Sequence, residues 1–90
     1  MKIYVSVLRK DRGDPSKGEI DIVLGGPTLL FDVERNIRIF DLKNLIRKKE
    51  NIPIEEQILV FNKQVLENDK TIDEYSIKEY NKLNQLYYYK

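Results

Sequence analysis

Hydrophobic and polar positions alternate at the start of the chain. Met1, Ile3, Val5 and Val7 lie on one side of residues 1–8, with Lys2, Tyr4 and Ser6 on the other, which is the period-two pattern of a half-buried strand. Residues 9–18 (Arg-Lys-Asp-Arg-Gly-Asp-Pro-Ser-Lys-Gly) are charged and rich in turn formers, and predict an exposed loop. Alternation returns over residues 19–24, where Ile20, Ile22 and Leu24 oppose Glu19, Asp21 and Val23. Gly25-Gly26-Pro27 is expected to break that run. Residues 28–33 then form a further strand with Leu29, Phe31 and Val33 on one face.

The period changes at Ile39. Ile39, Leu42, Ile46 and Lys49 recur at helical spacing, and Leu45 widens the stripe, so residues 39–49 predict an amphipathic helix. Arg47, Lys48 and Lys49 suit the negative end of its dipole, and Asn51 can take the left-handed position that closes it. Pro53 forbids continuation. Its start is less sharply marked: Asn36 is a plausible cap and Arg38 a poor one. Residues 58–61 predict a short apolar strand, with 64–66 as another beside it. Asn68-Asp69-Lys70 is a turn, and Ile72, Tyr75 and Ile77 enter the core from a short helical or irregular segment. Residues 83–89 close as a strand. The order predicts one α+β domain over residues 1–90, a helix laid across a sheet. Its expected core is Ile3, Val5, Leu29, Phe31, Val33, Ile39, Leu42, Ile46, Leu59, Leu66, Ile72, Ile77 and Leu83.

Composition narrows the chemistry. The chain has 90 residues with no cysteine and no histidine. Disulfides, thiolate nucleophiles, Cys/His zinc sites and imidazole bases are therefore excluded. The net charge of +1 offers no strong field for nucleic acid or an anionic membrane. No apolar run approaches the ~20 residues that span a bilayer. The alternating, soon-charged start does not read as a signal peptide. An intracellular, reducing setting is expected, cytoplasmic or nuclear.

The joint spacing of several segments resembles ubiquitin and its relatives. They are Met1-Lys2-Ile3-Tyr4-Val5; Ile46 with Glu50-Asn51-Ile52-Pro53; Gln57-Ile58-Leu59-Val60-Phe61; Leu66-Glu67-Asn68-Asp69-Lys70-Thr71-Ile72; and Tyr75-Ser76-Ile77. The likeness covers the chain except for an insertion at about residues 9–27. It implies the β-grasp fold, a ubiquitin-like sheet of about four to five strands with one helix packed across it and an extended first loop. No constellation of residues points to a cofactor, a metal or an enzymatic activity, and none is expected.

Fold alone does not give function. Conjugated relatives end in a flexible Gly-Gly, whereas here the corresponding region is Tyr87-Tyr88-Tyr89-Lys90 and no glycine follows Gly26. Where chain-building relatives carry their most used lysines this chain has Gln64 and Glu79, and at other such positions Ser6, Pro27 and Leu45. Lys43 and Lys49 persist, both on the helix, where charge is expected in any case. The family's recognition patch maps onto Leu8, Val60 and Leu86, with Lys63 and Gln64 as its rim and Asn84 in place of a histidine. The resemblance therefore implies a non-covalent interaction module: an integral ubiquitin-like domain of a larger protein, monomeric in isolation. Its partner would be a ubiquitin-receptor-like helix or domain, such as those of the proteasome. Two other readings stay open, a covalent modifier whose chain continues to a processed glycine, and a scaffold subunit with its sheet permanently covered. Val60 and Leu86 would then be strand residues covered by the insertion or by further chain.

Other features have plainer readings. Residues 19–24 either add an edge strand against residues 28–33, hairpinned through Gly25-Gly26-Pro27, or belong to an elongated loop. Gln85 lies where the family buries a leucine, so the last strand is distorted or the amide finds a backbone partner. Phe40 is expected on the surface. Glu55-Glu56 reads as surface, having no nucleophile or cleft beside it. The tyrosine run alternates across a strand, and without a basic groove it does not make a nucleic-acid platform.

Overall fold

The alternating start of the chain becomes strand β1 (Lys2–Asp11), which pairs antiparallel with β2 (Ile22–Asp32). The structure, a computed structural model, describes residues 1–88; the expected end of the last strand at Tyr89 lies outside the described residues. Helix α1 (Ile39–Glu50) follows, then β3 (Ile58–Phe61), β4 (Gln64–Val65) and β5 (Lys82–Tyr88), with single turns of 3-10 helix at Pro15–Lys17, Ile54–Glu56 and Asp73–Tyr75. The five strands form one mixed sheet in the order β2-β1-β5-β3-β4, in which β1 and β5 run parallel. One helix covers one face, as the β-grasp reading requires.

The insertion is more ordered than a loop. Residues 9–11 continue β1, and Leu24, Val23 and Ile22 pair with Arg9, Lys10 and Asp11, so the first hairpin projects as a two-stranded arm. This corrects two expectations. Gly25-Gly26-Pro27 does not end a strand, and of residues 19–24 only 22–24 are strand, paired with the prolonged β1 and not with residues 28–33. The reason is a β-bulge. Ser6 faces Thr28 while Leu8 faces Gly25, so Gly26 and Pro27 together oppose Val7 and the ladder resumes beyond them. A Cβ on Gly26 would lie 2.5 Å from the Val7 carbonyl oxygen, whereas one on Gly25 would meet nothing within 4 Å. At the tip, Asp14 caps the Pro15–Lys17 turn by accepting from the Ser16 amide at 2.9 Å, and Asp21 accepts from the Gly13 amide at 3.1 Å.

The helix begins without a side-chain cap. Arg38, not Asn36, is the capping residue, and it makes no capping hydrogen bond. Two first-turn amides are instead satisfied through space: Ile39 N–H donates to the Lys70 carbonyl at 2.8 Å and Phe40 N–H to the Asn68 carbonyl at 3.0 Å. The turn at residues 68–70 thus does what a polar side chain does at an isolated helix start. Asn51 closes the helix in the left-handed conformation with φ 57°.

The buried cluster holds the expected apolar set except Leu29, which is partly buried; Val7 and Ile52 are also buried. Three polar residues join them. Gln57 donates from Nε2 to the carbonyls of Lys43 and Ile52, both at 2.9 Å, tying the helix to the chain that follows it. Lys43, on the helix where charge is expected in any case, is only 7% exposed, and burial pushes its ammonium pKa down. Gln85 is fully buried in a regular strand, between Val7 of β1 and Leu59 of β3. Its Nε2 donates to the Leu86 carbonyl at 2.9 Å, while Oε1 has no partner.

Two outcomes follow for stability, both read by chemical denaturation. Gly26→Ala should lose about 1–3 kcal/mol because its Cβ meets backbone, whereas Gly25→Ala should stay within about 0.5 kcal/mol. Equal effects would show that the bulge does not need the glycine. Gln85→Leu should gain about 1–2 kcal/mol by removing an unpaired buried carbonyl; a loss would mean that the amide is satisfied in solution.

Candidate functional site

Strand pairing decides which side chains share the face away from the helix, because register partners point to the same side of a sheet. Leu8 stands beside Leu86, and Leu86 beside Ile58, making one continuous apolar row across β1, β5 and β3. In the adjacent row Ser6, Asn84, Val60 and Val65 stand side by side. The face therefore brings Leu8, Leu86 and Val60 together. Leu8 keeps its place despite the insertion, since the β1–β5 ladder runs unbroken past it while the bulge falls on β2. Leu8, Val60 and Leu86 are half-buried, and Asn84 is exposed between Ser6 and Val60.

Two residues that the sequence reading passed over complete the patch. Ile58 is 38% exposed and Val65 61%. The signal for Ile58 was present, because alternation along Ile58-Leu59-Val60 puts it on the same side as Val60. Val65 depends on the β3–β4 hairpin, whose register sets it opposite Val60. Asn62 and Lys63 form the two-residue turn of that hairpin, with φ 53° and 64°, the mirror-image turn that matches strand twist. Lys63 is thus at the hairpin tip. Gln64 pairs with Phe61, which packs on the core, so Gln64 starts from the alternate side of the edge strand and does not join the Val60–Val65 row.

Beyond the Leu8 row the arm extends the same face. Lys10 stands between Val23 and Tyr88. Its ammonium lies 5.1 Å from the centre of the Tyr88 ring, and the Arg12 guanidinium lies 4.3 Å from it. Arg12, Tyr88 and Ile58 line a shallow pocket with Glu55 and Glu56. On the helix side of the arm Arg9 and Asp11 form an ion pair at 3.0 Å. Among the described residues no cluster of acidic side chains is arranged to hold a metal ion, and no helix is long and apolar enough to cross a membrane.

The arrangement can do one thing chemically: offer apolar side chains on a rigid sheet, ringed by polar groups, for another surface to cover. Comparison with known proteins agrees with the architecture. The ubiquitin family model matches residues 20–87, from the returning half of the arm to β5. The UV excision repair protein rhp23 of Schizosaccharomyces pombe is 37% identical over 51 residues, which are 57% of this chain and 14% of that protein. Ubiquitin-like protein 4B of Monodelphis domestica is 36% identical over 62 residues, 69% of this chain and 34% of that protein. The chain thus spans a minor part of both relatives. With one helix laid across a mixed five-stranded sheet, and a family match that runs from the arm to the last strand, the chain belongs to the ubiquitin family.

Proposed function

We propose that the chain acts as a non-covalent docking module whose open sheet face binds a protein partner, with no catalytic role of its own. The observation that carries this reading is the Leu8–Leu86–Ile58 row flanked by Val60 and Val65. The helix covers the opposite face, so among the described residues these side chains have no intramolecular layer above them. An apolar strip of this kind is what the apolar side of a partner helix can cover. Asn84 lies within the face and Lys63 at its end, where polar groups direct the approach without supplying most of the affinity. The partner is a ubiquitin-receptor or proteasome-type surface. Membership of the ubiquitin family supports that choice, as do relatives in which the matching segment is a small part of a longer protein.

The test is a Val60→Asp plus Leu86→Asp double variant assayed against purified proteasome. Substituting two central contacts should weaken binding at least about tenfold, while the amide spectrum of the core stays unchanged. A folded double variant that binds as well as the parent rules out this face. Detection of the protein in denatured cell extract separates the covalent alternative. A single discrete band is expected, and a ladder that collapses under a deconjugating protease would make the chain a modifier.

A further inference from the structure

The arm lengthens the outer edge of the sheet, and that edge is open. β2 is the last strand on its side, and among the described residues no strand lies beyond it. Which of its backbone groups are left over follows from β1. Tyr4 N–H donates to the Asn81 carbonyl, towards β5, while the Met1 carbonyl accepts from the Val33 amide, towards β2. Backbone groups alternate sides along a strand, so the even residues of β1 serve β5 and the odd ones serve β2. Arg9 and Asp11 therefore bond to their register partners Leu24 and Ile22. Val23, between those two, turns its N–H and C=O outward, and Gly25, beside Leu8, does the same.

Edge strands are normally guarded by charge, proline or a bulge. The bulge and Pro27 guard the middle of β2, but Ile22 to Leu24 has none of these. All three side chains are exposed, and Ile20 before them is 81% exposed. No charged residue occurs from Ile22 to Phe31. We propose that this is a self-pairing edge: a second copy of the chain adds antiparallel to it about a two-fold axis at Val23. In that register Val23 faces Val23 of the second copy, and the two exchange their outward hydrogen bonds. Ile22 stands beside Leu24 of the second copy and Leu24 beside its Ile22, so each exposed apolar side chain of the segment gains an apolar neighbour. Neighbouring registers do worse. Centred on Ile22, Val23 meets the Asp21 carboxylate; centred on Leu24, Ile22 meets Gly26; centred on Gly25, Val23 meets Pro27, which has no N–H to give.

A hollow in the fold suits the same register. On the helix side of the arm, Val7, Leu24, Gly26, Pro27 and Tyr87 line a space of about 220 Å³. Ile20 of the second copy comes opposite Gly26, at the rim of that space, where no side chain closes it. The monomer expected from the family likeness is then the dilute species. Because the axis is perpendicular to the sheet, both helices fall on one side and both Leu8–Leu86–Ile58 rows on the other. The pairing does not depend on those rows docking anything; a partner with repeated sites would meet two of them at once.

The experiment is sedimentation of the 90-residue chain from about 10 µM to about 1 mM. The mass should rise from one chain to two, with a dissociation constant on the order of 100 µM, as a contact below about 1,200 Å² gives. Val23→Pro removes only the outward N–H, which the β1 ladder does not use, and should weaken pairing at least about tenfold with the core amide spectrum unchanged. Val23→Lys keeps every backbone donor but sets like charges on the axis, and should weaken it likewise. Leu86→Asp should pair like the parent. The chain has no cysteine, so Val23→Cys gives a single thiol. Facing residues about 5.5 Å apart are within disulfide reach, and oxidation should link the chains in pairs. Val65→Cys, exposed on the opposite edge strand, should stay unlinked. A chain that is monomeric at about 1 mM overturns the proposal, as does association that continues past two chains. Association that both Val23 variants leave intact, or that Leu86→Asp abolishes, places the contact elsewhere and overturns it too.

Discussion

The parallel ladder between β1 and β5 holds the molecule together and decides what each face presents. It joins the first strand to the last, so the helix and the β3–β4 hairpin are the crossover between them. A parallel pair is possible only with such a long connection. The register runs without interruption from Tyr4 opposite Lys82 to Lys10 opposite Tyr88. Val5, Val7, Leu83 and Gln85 therefore go to the core, while Ser6, Leu8, Asn84 and Leu86 go to the open face. A bulge in this ladder would have reversed that assignment beyond it. The one extra residue sits on β2 instead, where Gly26 and Pro27 oppose Val7. The arm can thus lengthen while the open face keeps its alignment.

The polar residues of the core show tertiary structure supplying what local sequence lacks. Gln57 reaches two carbonyls at 2.9 Å and fastens the helix to the chain that follows it. The helix start is capped by carbonyls at Asn68 and Lys70, from a turn distant in sequence. Gln57 Oε1 has no partner, and neither has that of Gln85. The strand of Gln85 stays regular because two ladders hold the backbone on both sides, and the cost falls on an unpaired side-chain oxygen. Backbone pairing outweighs the loss of one side-chain hydrogen bond, each such bond contributing about 1 kcal/mol net.

A single helix can cover one face of a five-stranded sheet, and this limit underlies the functional reading. Side chains on the far face have no second layer, so apolar residues there either pack among themselves or serve a partner. Leu8, Leu86, Ile58, Val60 and Val65 are contiguous by register. The arm then continues that face into a region of different chemistry, where Lys10 and Arg12 rest on Tyr88 and Asp11 pairs with Arg9. Apolar and cationic side chains are brought side by side by one uninterrupted pair of strands.

Much of this was legible in the residues themselves. Period-two alternation in Ile3 and Val5, helical spacing from Ile39 to Ile46, and the Asn51–Pro53 stop each reflect local geometry, so the elements and most of the core could be read directly. Leu8, Val60 and Leu86 were legible through family resemblance. The insertion was not. Gly25-Gly26-Pro27 carries the local marks of a strand break, and only pairing with Arg9 to Asp11 makes it a bulge within a longer strand. Val65 and Gln64 were assigned to faces by the β3–β4 register, while Lys43 lies on the buried side because it stands one turn beyond Ile39, between Leu42 and Ile46. Local conformational preference determined which segments became helix or strand. Register and packing decided which side chains share a face, because those depend on residues far apart in sequence whose alignment no single stretch of chain encodes.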